Sequence, residues 1–282
     1  MKKLIITADD YGMSKAVNEA IDAGIDAGLI TSTNVMTNMP LYKDAVKLKS
    51  KEGVSVGIHW VLACGKSILP AHEIPTLVNA AGEFYPYPEF RKRLRKNLIS
   101  FSDIKKELIA QYNLYYEIMG QPDYWNTHQN THVDFGIYRV FVDTAAELGI
   151  NKMRSHQRIY VKGSDSSHPM PLKWRIAEPI KAAMLNVWQS NAHKKGIVSP
   201  EGRIVCLNVN DINKPEHLFS HIVWGKKNVG EYVIHPATGN DSPYFGKIVE
   251  QRIREFEMFT SEKTKKIICE SGIELVSFEG LK

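Results

Sequence analysis

The sequence predicts an α/β protein built as an irregular, TIM-like (β/α) barrel of parallel strands, a single domain over residues 1–282. Two observations point there. Short apolar runs of strand type alternate with helix-period segments along almost the whole chain, which is the pattern of parallel β/α units. About seven or eight such units fit into the chain with neither an internal repeat nor a low-complexity linker. An open doubly wound sheet is the alternative arrangement. It has no direct support, because no G-x-G-x-x-G or P-loop pattern follows the first strand.

The elements follow in order. Residues 4–7 read as a buried strand, and residues 14–29 as a helix with Val17, Ala20, Ile21, Gly24, Ile25 and Gly28 on one face and Ser14 as its N-cap. Strands are expected at 33–36 and 54–58, with a helix at 44–50 between them. A long loop rich in proline and aromatic residues then runs from about 60 to 90. Ile104, Leu108, Tyr112, Tyr115 and Met119 mark a helix that Gly120 and Pro122 end. Further strands are expected at 124–127, 152–154, 204–207, 229–234 and 275–278. Helices are expected at 138–148 and 171–193, and one long helix from near 246.

Bulk properties narrow the class. Hydrophobic residues make up 43% and charged residues 24%, as in ordinary globular proteins. The formal net charge of +5 comes from 36 basic and 31 acidic side chains, which makes a case for neither a nucleic-acid nor a membrane partner. The basic stretch Arg91-Lys92-Arg93-Leu94-Arg95-Lys96 reads as a solvated helix face. Cys64, Cys206 and Cys269 lack metal-ligand or redox spacing and read as reduced thiols. With no signal-peptide pattern at the N-terminus and no apolar run of transmembrane length, the expected location is the cytoplasm.

Chemistry-bearing residues recur at the ends of predicted strands. Asp9 and Asp10 follow the first strand, His59 the third and His128 the strand at 124–127; Arg154 closes the next, and His235 follows 229–234. In parallel α/β folds the carboxyl ends of the strands share one face, so these residues are expected to converge there. Two adjacent carboxylates are costly unless a cation or a shared proton separates them. Taken alone, the pair reads as a solvated turn in which Asp10 caps a helix.

The pieces Thr7-Ala8-Asp9-Asp10-Tyr11-Gly12, Val56-Gly57-Ile58-His59, Gly82-Glu83-Phe84, Thr127-His128-Gln129-Asn130-Thr131-His132, Met153-Arg154 and His235-Pro236 occur in one order across nearly the whole chain. In that order and spacing the sequence resembles the YdjC family, the ChbG-like carbohydrate deacetylases. The resemblance implies an irregular (β/α) barrel and a metal-dependent hydrolase removing acetyl groups from N-acetylated sugars, notably chitooligosaccharides. Carried over by position, it implies Asp10, His59 and His128 as metal ligands, Asp9 as base and His235 as acid. One departure bears on substrate choice: the family often has His-x-His-x-His where this chain has His128-x-Asn130-x-His132.

Amide hydrolysis needs an activated water, a polarised carbonyl and a proton for the leaving amine. One divalent ion on two imidazoles and a carboxylate can supply the first two. That donor set favours zinc or a neighbouring transition metal, and the resemblance leaves magnesium open. Alternation along a strand would let Asp10 meet the ion while Asp9 approaches from the side, and the reverse assignment fits equally. His235 should be protonated when it serves the leaving amine. Arg154 is expected to orient Asp9 or to contact the sugar, and His132 to contact the sugar or to act as a cap. Trp60 and the aromatic segment 82–90 suggest a sugar-binding rim; their other reading is cover for a barrel edge or a contact in a homodimer. His72, His168, His193, His217 and His221 read as background.

The expected partner is a small N-acetylated sugar. Competing readings are a metal phosphoesterase, which calls for more ligands, and a non-catalytic sugar-binding or regulatory protein. A glycosidase is a further one, although adjacent carboxylates are poorly placed to flank a bond.

Overall fold

The computed structural model describes residues 1–134, 136–162, 172–206 and 214–281. Along the chain come β1 (Lys2–Tyr11), α1 (Lys15–Asp26), β2 (Ser32–Val35), a 3-10 segment (Tyr42–Ser50), β3 (Ser55–Trp60), α2 (Tyr87–Arg95) and α3 (Phe101–Met119). β4 (Trp125–Thr127), a 3-10 turn (His128–Val133), α4 (Tyr138–Glu147), β5 (Arg158–Tyr160), α5 (Leu172–Lys194) and β6 (Gly202–Val205) follow. The chain continues through α6 (Pro215–Ser220), β7 (Val229–Ile234), α7 (Val249–Phe259), α8 (Glu262–Glu270) and β8 (Ile273–Leu275).

The strands lie in the order β4-β3-β2-β1-β7-β6-β5, with every pairing parallel. β1 is the centre because both of its faces are apolar: Leu4, Ile5 and Ile6 are fully buried. One edge of β1 is shared, with β8 against Lys2–Leu4 and β2 against Thr7–Tyr11. Single parallel bridges, Trp125 to Met153 and Lys152 to Val198, link the outer strands, so the sheet curls into an irregular barrel. Ser14 caps α1 by accepting from the Val17 N–H, as its position predicts, and Val17, Ala20, Ile21, Gly24 and Ile25 are buried beneath it. Among the described residues no helix is long and apolar enough to cross a membrane.

Several elements differ from the sequence expectation. The helix expected at 44–50 is present as a 3-10 segment, and the single long helix expected from near 246 is two, α7 and α8. β5 lies where no strand was expected, and the strand expected at 152–154 is reduced to single bridges at Lys152 and Met153. β8 stops at Leu275, and Phe278 begins a 3-10 turn whose ring stacks on Tyr124 at 3.8 Å between centroids. The expected elements at 204–207 and 171–193 are found, although residues 207 and 171 lie outside the described residues, as does His168.

The long 60–90 connection is pinned rather than loose. Buried Glu107 on α3 accepts from the Ile68 and Leu69 N–H groups at 2.9 and 3.1 Å. Gln111, one turn on, accepts from the Val61 N–H and donates to the Val61 carbonyl. Antiparallel bridges join Lys66 to Glu83 and Val78 to Phe84.

Strand β3 reaches the site through one close contact. A Cβ on Gly57 would lie 2.7 Å from both the Tyr124 ring and the Tyr124 carbonyl oxygen. Tyr124 cannot step aside, because its hydroxyl accepts from Ser32 and donates to the Thr33 carbonyl while its ring stacks on Phe278. Gly57→Ala is therefore expected to lower unfolding free energy by about 1–3 kcal/mol through overpacking. Chemical denaturation measures this, and an unchanged midpoint would show that β3 and β4 can separate.

Candidate active site

The carboxyl ends of the strands face a common cavity of about 440 Å³ whose wall includes Asp9, Asp10, His59, His128, Arg154 and His235. All six strand-end residues singled out by the sequence are thus brought together. Strand alternation is not the reason that both carboxylates reach it. The β1–β2 register shifts between Ala8 and Tyr11, and Asp10 has φ +78°, a left-handed backbone rare for a side-chain-bearing residue. This bulge re-aims the chain so that two neighbouring side chains face one cavity.

Asp9 is held from all sides. Arg154 donates to both of its oxygens, Nη1 to Oδ2 at 2.9 Å and Nη2 to Oδ1 at 2.7 Å. Asn34 Nδ2 adds a bond to Oδ1 at 2.6 Å and Asn126 Nδ2 one at 3.4 Å. Burial alone would push the carboxyl upward, but Arg154 and the surrounding imidazoles outweigh it and hold Asp9 ionised, far below the usual carboxylate range. His235 Nε2 stands 3.7 Å from Asp9 Oδ2.

Asp10 divides its oxygens. Oδ1 faces His128 Nδ1 at 3.0 Å and His59 Nε2 at 3.4 Å, and Oδ2 accepts from Arg252 Nη2 at 2.6 Å. Burial works against its charge as well, and Arg252 and His128 again prevail, keeping it ionised. One nitrogen from each histidine and one Asp10 oxygen lie within 4.8 Å of one another, making this a group that could hold a metal ion. The next shell fits that use. His59 Nδ1 meets the Asn126 Oδ1 at 2.5 Å, an acceptor, so Nδ1 carries the proton and Nε2 is turned toward Asp10. A lone pair facing a carboxylate oxygen requires a cation or a proton between them. At His128, burial lowers the imidazole pKa, but Asp10 outweighs it and lifts it to about 9.

His235 sits just past β7, with its side chain about 33% exposed. Its main chain is clamped by α7: Glu255 Oε2 accepts from the His235 N–H at 2.6 Å, and Arg252 Nη1 donates to its carbonyl at 3.3 Å. Burial lowers the imidazole pKa to about 4, with Arg252 and Arg154 acting in the same direction against Asp10 and Asp9. The resting imidazole is therefore neutral, so it has to take up a proton before it can serve a leaving amine.

Of the three residues considered as sugar contacts, Arg154 stays on the cavity wall in its other expected role, while Trp60 and His132 lie off that wall. The Arg154 guanidinium is 2% exposed and fully engaged, with Nε on Glu231 and both Nη atoms on Asp9, so it orients Asp9. Trp60 is wholly buried against Trp125 and Phe141 and donates to the Leu108 carbonyl, so it offers no face to a ring. His132 is 1% exposed behind Thr127, with Nε2 3.2 Å from His156 Nε2. Phe84 and Phe90 are buried in the core, and no residue of 82–90 lines the cavity. Its aromatic wall is formed by Tyr232, Tyr244 and Phe245. Asn130, at φ +52°, accepts from Arg203 Nη1 at 3.2 Å on the same wall.

Sequence reasoning missed Asn34, Asn126, Arg203, Glu231, Arg252, Glu255 and Tyr244. A signal existed for Glu231, a charged residue inside the otherwise apolar β7; Asn34 and Asn126 sit in strands that are mostly polar and do not stand out. For Arg252 and Glu255 there was none, since a solvated helix carries the same spacing.

A carbohydrate deacetylase of Geobacillus stearothermophilus is 26% identical over 280 residues, covering 97% of this chain and 96% of that protein. A chitooligosaccharide deacetylase of Escherichia fergusonii is 27% identical, covering 98% and 97% respectively. The crystal structure of an Enterococcus faecalis V583 protein named for cellobiose-phosphate cleavage superposes with a TM-score of 0.75 at 24% identity, covering 99% of this chain and 98% of that one. The family model described as YdjC-like protein matches residues 3–270, and the chain belongs to that family.

Proposed function

We propose that this protein is a metal-dependent carbohydrate deacetylase that hydrolyses the N-acetyl group of N-acetylglucosamine-containing sugars, such as short chitooligosaccharides, and releases acetate. The observation that carries the reading is the Asp10–His59–His128 donor group lying beside Asp9 and His235 in one cavity. The names of the family relatives point the same way.

A divalent ion held by that group would polarise the acetyl carbonyl and acidify water beside it. The donor set favours zinc or a neighbouring transition metal, with magnesium less well matched. The remaining steps belong to the chain. Asp9, kept ionised and fixed by Arg154, takes a proton from the attacking water as its oxygen bonds to the acetyl carbon. The same arginine makes Asp9 a weak base, so the proton moves readily to the neutral His235, 3.7 Å away. His235 then gives it to the sugar nitrogen as the C–N bond breaks, leaving free amine and acetate. Tyr244, about 44% exposed on the cavity wall, offers a flat apolar surface to a sugar ring.

A phosphoesterase working through two or three ions is less well supported. The described residues contain one metal-competent group.

Acetate release from N-acetylglucosamine, its 6-phosphate and short chitooligosaccharides is the direct assay. Release from at least one, abolished by chelator and restored by Zn²⁺ or Co²⁺, is expected; no acetate from any of them despite bound metal would sink the reading. Asp10→Ala should lose bound metal in elemental analysis. Asp9→Asn and His235→Ala should keep it while kcat falls by about 10²–10⁴. Metal loss in the Asp9 variant but not in the Asp10 variant would reverse the two carboxylate roles.

A further inference from the structure

Helix α7 supplies a side chain that touches both halves of the site. Arg252 is 2% exposed, and its guanidinium lies 4.6 Å from the centre of the Phe245 ring. Nη2 donates to Asp10 Oδ2 and Nη1 to the carbonyl of His235. The other Asp10 oxygen, Oδ1, is the one turned toward His128 and His59.

A carboxylate can bind an ion through one oxygen or both, and using both takes up a further coordination position. Hydrolytic sites depend on positions left open for water and substrate. A guanidinium on Oδ2 competes for that oxygen, and its charge opposes a nearby cation. Arginine suits the task because one planar fork can hold two acceptors in fixed relation, which a lysine ammonium cannot match.

We propose that Arg252 is a positioning residue that keeps Asp10 a one-oxygen ligand and, through the same guanidinium, sets the main chain of His235 relative to it. The kinetic part of this proposal rests on the deacetylase reading. The ligand part does not, and is read on protein and metal alone.

A merely structural role for Arg252 would be to neutralise buried Asp10, and its removal would then weaken the site in every respect. The positioning role makes the opposite prediction for the metal. In Arg252→Met, Asp10 Oδ2 is released to join the ion and a repelling charge is gone. The Co²⁺ dissociation constant should then stay the same or tighten by up to about tenfold. The visible absorption of bound Co²⁺ should weaken as coordination number rises, and kcat should fall about 100-fold with KM changed less than threefold. Arg252→Lys keeps a cation on Oδ2 but releases the His235 carbonyl. It should show the parental Co²⁺ spectrum and affinity, with kcat reduced about tenfold.

Weaker Co²⁺ binding, an unchanged Co²⁺ spectrum or near-parental kcat in the Met variant overturns the proposal, as does a parent protein that binds no Co²⁺. If the Met variant does not fold, the Lys variant decides: a parental kcat or a weakened Co²⁺ affinity overturns it. Failure of the deacetylase reading would appear separately, as a parent that binds Co²⁺ yet releases no acetate, and the cobalt measurements would still stand as the test of Arg252.

Discussion

The site depends on two guanidiniums approaching two adjacent carboxylates. Asp9 and Asp10 are 3% and 0% exposed, and each is paired with its own arginine, Arg154 and Arg252. Burying one unpaired carboxylate costs several kcal/mol, and two neighbours of like charge would add repulsion. With separate counter-ions both remain ionised, and the site keeps its charge pattern without a bound cation. The arginines come from distant parts of the chain, one just after the bridge at Met153 and the other from α7. The pairing therefore also ties the far wall of the barrel and the helix behind β7 to the end of β1.

That pairing would be useless on a regular strand, where Asp9 and Asp10 would point to opposite faces. The register shift after Ala8 and the left-handed Asp10 backbone remove the conflict. Strained backbone of this kind persists only where its surroundings over-determine it. Here the Asp10 N–H meets Asn34 Oδ1 at 3.4 Å, the Gly12 N–H donates to Asn18 at 2.7 Å, and the Tyr11 ring is fully buried. A left-handed pair, Gln129 and Asn130, follows His128 directly and turns Asn130 toward Arg203 on the cavity wall.

Much of this was legible in the sequence, for a physical reason. In a parallel barrel the strand direction is shared, so Asp9, His59, His128, Arg154 and His235 could be placed on one face from strand order alone. Burial was harder to read. Trp60 looked like a sugar platform because it follows His59, yet β3 runs on through Trp60 and turns its ring into the core. His132 looked free to face substrate, yet the turn after His128 folds it behind Thr127. Arg252 and Glu255 were invisible because their roles arise from how α7 docks, and docking leaves no local mark. The aromatic wall at Tyr244 was missed for the same reason, being a loop carried to the cavity by the packing of its neighbours.

The contrast between the two carboxylates bears on which does what. Asp9 has both oxygens taken by one arginine, and Oδ1 also accepts from Asn34 and Asn126, so little of its acceptor capacity is left for an ion. Asp10 gives a single oxygen to its arginine and presents the other to two imidazoles. An ion prefers the site where an oxygen and two imidazole nitrogens already converge, which favours Asp10 as the ligand. A proton makes the opposite choice, needing only one lone pair and a short path onward. Asp9 provides both through Oδ2, which faces His235. The adjacency that made the pair an electrostatic oddity thus becomes useful. One residue step separates the group suited to an ion from the group suited to a proton, and the two arginines keep those affinities apart.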